Sequence, residues 1–357
     1  MKRGINGPVE IALQNTELNA QFTLRHIPIL SENASIKIKS TGNVGYADIR
    51  FNADSVQTNF VFKIMGVKNL TLSGLRMESQ GEVYSSVMNL HGYNDNLTID
   101  NCILAGQDVP SYSSNKDLAL INAVYHFSNH LTLKDNTFYK GSFAMVNEYL
   151  NSEVTTSDMI SIQNNTFNEN SYGVDFQKLN RIDIENNRFH LMKNTAIRLG
   201  YTTGSLKIMN NYIDYLAGNG IYLYHSNSDS TKVIANNSLR TYGTGSNLQE
   251  NVRLENINYL KVYHNTFRHN TGINTSTFMA NGSVANLEFV NNIVYKQNNG
   301  YAANFQNTVG VDATSHNIFF NAQGPNVINW GGQNINSTED FANYGLHHNS
   351  QVANPLF

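Results

Sequence analysis

Between residues 147 and 255 the chain repeatedly sets acidic, cationic and aromatic side chains where strand alternation turns them the same way. In GVDFQ (173–177), Val174 and Phe176 take the buried side and leave Asp175 and Gln177 facing out. AIRLG (196–200) turns Arg198 out between Ile197 and Leu199. GIYLYH (220–225) turns out Tyr222 and Tyr224 and then reaches His225, and NVRLEN (251–256) turns out Arg253 and Glu255. Asn147 and Glu148 end an earlier strand, AMVNE. Such a set is suited to holding a sugar polymer, with Tyr222 and Tyr224 as stacking platforms and Asp175, Gln177, Arg253 and Glu255 as polar contacts. It is also suited to proton abstraction beside a uronate carboxylate, which needs a cation such as Arg198 and a base such as Tyr222 or His225. A third reading of the same residues is a solvated sheet face, in which Asp175, Arg198, Arg253 and Glu255 form cross-strand ion pairs of little individual worth.

The elements that must position these groups are announced by a repeated phrase, apolar-x-apolar-x-(Asn/Asp/His)-Asn-x-apolar. It returns as LTLKDNTF, ISIQNNTF, IDIENNRF, LKIMNNYI, LKVYHNTF and LEFVNNIV. Its second polar position holds Asn136, Asn165, Asn187, Asn211, Asn237, Asn265, Asn292 and Asn317, roughly 26 residues apart, which is the period of a solenoid. Upstream, VKNLTLSGLRM and DNLTIDNCIL put Leu75 and Cys102 in the same column. Period-2 alternation within each phrase marks a strand with one buried face. The Asn pair interrupts it at a corner, where Asn tolerates left-handed backbone better than other non-glycine residues. Stacked strands lie about 4.8 Å apart, close enough for equivalent amides to bond into a ladder. The expectation is an all-β chain: a single-stranded right-handed parallel β-helix of about ten coils over 61–320. Residues 1–60, which lack the Asn column, are expected to be an N-terminal cap, and 321–357 a C-terminal cap or a link to further domains.

Composition narrows the classes. A net charge of −3 with 14% charged residues offers no basic field for nucleic acid. No apolar run approaches the roughly 18–20 residues of a membrane span, and MKRGINGPVEIAL lacks the apolar core of a signal peptide. The one cysteine, Cys102, sits in the corner column and reads as a packed thiol. Longer spacings before Asn136 and Asn165 contain DVPSYSSNK (108–116) and NSEVTTS (151–157), loops expected to border a binding side. There is no Asp-Asp pair, no Gly-His-Gly, no His-Glu-x-x-His and no Asp-x-Asp-x-Asp-Gly loop, so neither a polygalacturonase-type hydrolase nor a metal hydrolase is indicated.

The ladder phrases resemble right-handed β-helix repeat proteins of the pectate-lyase-like superfamily. The opening INGPVEIALQNTELNAQFTLRHIPILSENASIKIKS and the closing Asn354-Pro355-Leu356-Phe357 resemble secreted surface β-helix proteins of Bacteroidetes. The resemblance implies an extracellular or cell-surface segment, structural or adhesive, with a polysaccharide as partner. The strip is also similar to that of chondroitinase-B-like and alginate-lyase β-helices. That likeness implies Asn147 and Asp175 as ligands of a Ca²⁺ ion, and Lys178 and Arg198 joined by Tyr222 or His225 as the catalytic groups of a uronate lyase or epimerase. Gln177 stands where that pattern has a second carboxylate. The sequence leaves the glycan and the oligomeric state open.

Overall fold

The computed structural model describes residues 4–14, 17–42, 45–110, 112–124, 129–148, 159–243, 249–270, 275–308, 310–344 and 347–356. The NSEVTTS loop and the side chain of Glu148 lie outside these. The chain is a right-handed parallel β-solenoid, as expected, and its strands fall into two compact units, Met1–Ile182 and Asp183–Phe357.

Each coil has three strands. In the N-terminal unit the first face is built by strands such as Lys68–Ser73 and Asp95–Asp100, the second by Leu75–Ser79 and Ile103–Ala105, and the third by Phe62–Met65 and Met88–His91. Equivalent strands pair in parallel, as in Leu70↔Leu97↔Leu131 on the first face. The stretch expected to be a cap already follows this plan. Val9–Leu13 pairs with Ile36–Ser40, Glu17–Asn19 with Ala47–Phe51, and Phe22–Arg25 with Phe62–Met65, all in parallel. Alternating Ile36, Ile38 and Ile49 bury there as the later coils do, so the parallel stack does not require the asparagine column.

In the C-terminal unit the same order runs from Arg188–Met192 through Ile197–Gly200 and Leu206–Met209 onward. One long strand, Val252–Tyr263, serves two faces, pairing with Ile221–Ser226 by its first half and Lys232–Ala235 by its second. The tail closes with Ile328–Trp330 against Gln333–Ile335, antiparallel, and a 3-10 turn at Glu339–Asn343. His347–His348 and Gln351–Val352 still pair in parallel with the preceding coil.

The corner divides its labour between the two polar residues. The first takes left-handed backbone: Asn186, Asn210, Asn236, His264, Asn291 and His316 have φ of 56 to 58°. The second is buried and supplies the ladder. Asn211 Oδ1 accepts the backbone N–H of Asn187 at 2.9 Å and its Nδ2 at 3.1 Å, while Asn211 Nδ2 donates to Ile184 O at 2.9 Å. The unit repeats this through Asn237, Asn265, Asn292 and Asn317, and Ser350 Oγ accepts the last rung from Asn317 N at 3.2 Å. In the N-terminal unit Cys102 N donates to Asn136 Oδ1 at 2.8 Å and Asn136 N to Asn165 Oδ1 at 2.9 Å. Cys102 is itself buried, and burial pushes its thiol up to about 12, which keeps it inert. Replacing Asn237 with Leu strands the N–H of Asn211 and removes the bonds to Ile208 O and Asn265 Oδ1. A loss of about 2–4 kcal/mol in urea unfolding is expected; no loss would mean the ladder is dispensable.

Two lysines lie inside the C-terminal unit. Lys232 stands in register with Leu206 and Leu260. Its Nζ donates to the carbonyls of Ser228 and Ser230 at 3.0 Å each and of Asn258 at 3.1 Å. Lys296 Nζ lies 2.9 Å from His269 Nδ1, and His269 Nε2 lies 2.8 Å from Gln249 O. These contacts assign the neutral Nε2–H form to His269, with Nδ1 accepting from the ammonium. Burial pulls both lysines down to about 8. The folded state therefore binds fewer protons than the unfolded chain between about pH 8 and the ordinary lysine value of about 10.4. The penalty of burying charge is fully present below pH 8 and fades as pH rises across that window. Urea midpoints of the wild type relative to Lys296→Met should thus climb from pH 8 to pH 10; a flat difference would contradict the assignment.

Candidate functional site

On the third face of the C-terminal unit, Ile197, Ile221 and Val252 align in one buried column and Leu199, Leu223 and Leu254 in another. Anchoring by these residues sets the outward columns. Arg198, Tyr222 and Arg253 stand side by side, continued by Met279, and Gly200, Tyr224 and Glu255 stand beside them, continued by Asn281. Gly200 is required here, because a Cβ would lie 2.2 Å from the Tyr224 ring that covers it. The next position turns left-handed at Tyr201, His225, Asn256 and Gly282, with φ of 53, 50, 54 and 69°. This turn carries Tyr201 and His225 to the edge of the face.

The result is a continuous aromatic cluster. Tyr222 and Tyr224 have ring centroids 5.1 Å apart, Tyr201 meets Tyr224 edge-on at 5.6 Å, and Tyr201 stacks on His225 at 5.3 Å. Tyr201 is 44% exposed. His225 Nδ1 lies 3.2 Å from Asn256 Nδ2, and Asn256 Oδ1 accepts Ser283 N at 2.9 Å. Beside the rings sits a fixed polar group. The Tyr222 hydroxyl donates to Glu255 Oε2 at 2.5 Å, Arg253 Nε donates to Glu255 Oε1 at 2.9 Å, and the Arg253 guanidinium lies 5.4 Å from the Tyr222 ring centroid. Glu250, almost buried, approaches Arg253 on the other side at 3.9 Å and accepts from Asn219 Nδ2 at 3.2 Å. Burial, then the bond to Glu255, pushes the Tyr222 phenol up to about 12. For Glu255 burial acts upward, but the hydrogen bonds from Tyr222 and Arg253 outweigh it and hold the carboxyl below its ordinary value. At neutral pH the cluster therefore holds a protonated Tyr222 and an ionised Glu255.

The remaining expected residues belong to the N-terminal unit and are placed differently. Both ends of the Asn147 amide bond the backbone of Gln177: Oδ1 accepts Gln177 N at 2.9 Å and Nδ2 donates to Gln177 O at 2.7 Å. Asn147 braces a strand end, so its expected role as a Ca²⁺ ligand has no support in its contacts. Asp175, expected to face solvent, is only 4% exposed. Its register partner Val146 packs with Ala119, Phe143 and half-buried Tyr172, an apolar cluster that alternation alone does not reveal. Gln177 is half-buried and Lys178 takes left-handed backbone, φ 57°. Among the described residues no three His, Cys, Asp or Glu side chains converge on a point.

Sequence reasoning passed over Tyr201, Glu250 and Asn256. Laying AIRLGY, GIYLYH and NVRLEN over one another places Tyr201, His225 and Asn256 in one column, and that signal was present in the residues.

Residues 121–249 match the family model described as right handed beta helix region. Among solved structures, the A-module of the Azotobacter vinelandii mannuronan C-5 epimerase AlgE6 is similar with a TM-score of 0.50 and 12% identity, over 98% of this chain and 92% of that one. The Dettilon tailspike protein is similar with a TM-score of 0.48 and 10% identity over 92% of this chain, which spans 62% of the tailspike's length. No curated protein matches. At these identities the structural likeness is one of fold. No helix among the described residues is long and apolar enough to cross a membrane.

Proposed function

We propose that this chain binds a polysaccharide on the third face of its C-terminal unit, as a structural or adhesive segment of a secreted or cell-surface protein. The observation that carries the reading is the cluster of Tyr201, Tyr224 and His225 rings beside the locked Arg253–Glu255 pair. Aromatic rings present flat apolar area to the faces of sugar rings, and a few oriented charged groups supply direction for the hydroxyls. The fold is one that also serves a mannuronan epimerase, which makes a glycan partner reasonable, although a fold alone does not assign an activity.

A uronate lyase or epimerase is the second reading, favoured by the register that sets Arg198 directly beside Tyr222. In it Arg198 would neutralise the substrate carboxylate, and Tyr222 or His225 would take the proton. Tyr222 is poorly prepared for that task, since its hydroxyl already donates to Glu255 and its pKa is pushed up to about 12. A general base works best with a pKa near the operating pH. The polar groups thus support holding a chain better than cleaving one.

Affinity electrophoresis against neutral and uronate polysaccharides tests both. Tyr201→Ala and Tyr224→Ala should each weaken retardation by about five- to tenfold, and ultraviolet absorbance of an unsaturated product should not grow. Retardation unchanged in both variants would sink the binding reading, and product formation abolished by Arg198→Ala would replace it with the lyase.

A further inference from the structure

The second face of the C-terminal unit carries a different arrangement, away from the cluster just described. Arg188 stands opposite Tyr212 in register, while Asp214, Arg240, Arg268, Tyr295 and Phe320 share the neighbouring column. Each arginine lies against a tyrosine: Arg188 at 5.8 Å from the Tyr212 centroid, Arg240 at 4.4 Å from Tyr242, and Arg268 at 5.6 Å from Tyr295. The Tyr295 and Phe320 rings continue the surface at 5.9 Å. Tyr212 and Tyr242 are 38% and 39% exposed.

The column's carboxylate, Asp214, is already engaged. Its Oδ2 lies 2.9 Å from His190 Nδ1 and its Oδ1 accepts Leu191 N at 2.6 Å, tying down the irregularity between Phe189 and Met192. Among the described residues no carboxylate forms an ion pair with Arg188 or Arg240, and the covered Nε of Arg240 has no hydrogen-bond partner. Arg268 Nε donates to Asn270 Oδ1 at 2.7 Å. The corresponding face of the N-terminal unit handles arginine in the opposite way. There Arg50 meets Glu17 at 3.2 Å, Asp48 at 2.8 Å and Glu78 at 3.7 Å, and Arg76 meets Glu78 at 3.0 Å. One face neutralises its arginines internally, and the other leaves them charged beside exposed rings.

We propose that this second face of the C-terminal unit is a separate binding surface for an acidic polysaccharide, with Arg188 and Arg240 pairing its carboxylate or sulfate groups and Tyr212, Tyr242 and Tyr295 packing on its sugar rings. The guanidinium fork matches a planar anion with two parallel hydrogen bonds, and stacking on a ring leaves its edge donors available. Arg188 and Arg240 are two coils apart, about 9.6 Å along the stack at the usual strand spacing, so an anionic group recurring along an extended polymer meets both. Hydrogen bonding to Tyr242, followed by burial, holds the Tyr212 phenol up to about 12, so it stays a neutral donor. A nucleic acid is a poorer match. Its affinity comes from neutralising many phosphates at once, and this chain has net charge −3 with two unpaired arginines in the face.

The test is titration of fluorescent polymannuronate oligosaccharides at low and moderate salt, with dextran and a single-stranded oligonucleotide as controls and the urea midpoint as a check on folding. The Arg188→Gln/Arg240→Gln double variant should bind polymannuronate roughly tenfold or more weakly and lose most of the salt dependence. Arg188→Lys/Arg240→Lys, which keeps charge without the fork, should fall between. Binding that survives Tyr222→Ala/Tyr224→Ala but not the glutamine pair supports the proposal even if the third face binds nothing. Wild-type affinity in the glutamine pair, complete loss of acidic-glycan binding in Tyr222→Ala/Tyr224→Ala alone, or binding of the oligonucleotide in preference to any glycan would each overturn it.

Discussion

From Cys102 onward the coils share one constraint, a buried backbone N–H at the corner that must find an acceptor. When a chain leaves one strand and enters the next inside a stack, its turning amide points along the stack axis and is buried. An unpaired N–H there would cost about 1–3 kcal/mol per coil. The asparagine column answers this with one side chain per coil. Its oxygen takes the N–H and the side-chain N–H of the preceding rung, and its nitrogen reaches a strand carbonyl, as at Asn211, Asn237 and Asn265. With the corners fixed, strand register follows, and register decides which side chains share a face.

That hierarchy explains how much could be read from the residues. The Asn pairs and the alternation around them made the corners, the parallel coils and the outward positions of Arg198, Tyr222, Tyr224, Arg253 and Glu255 legible. Alternation reports only which side of a strand a residue takes, and it is silent on what lies over that side. Asp175 is the example: it faces away from the inner columns yet is covered, in a column with Val146. Residues 1–60 show the complementary gap. Lacking the asparagines, they offered no register, yet isoleucine alternation was enough to stack them in parallel. Tyr201 was hidden because it lies one residue beyond a strand, where left-handed backbone rather than pleat decides its direction.

The two outward faces of the C-terminal unit show how one scaffold supports different chemistry. On the third face Arg253 pairs with Glu255, which also accepts the Tyr222 hydroxyl, and exposed rings stand beside this paired group. On the second face the arginines lie on tyrosine rings and keep their charge outward. Both patterns grow from register, because each coil contacts only its neighbours and register decides which positions lie within reach.

The ladder also has a direction. In the backbone rung each donor belongs to the earlier coil and each acceptor to the later one, from Asn187 to Asn211 and finally from Asn317 to Ser350, while the side-chain nitrogens donate back to the earlier coil, as from Asn211 Nδ2 to Ile184 O. The two ends of such a stack are therefore not equivalent. Removing coils from the front leaves an amide oxygen and a side-chain N–H short of partners, whereas removing them from the back leaves a buried backbone N–H with nothing to bond. After Asn317 that acceptor is Ser350, a short hydroxyl in place of an amide.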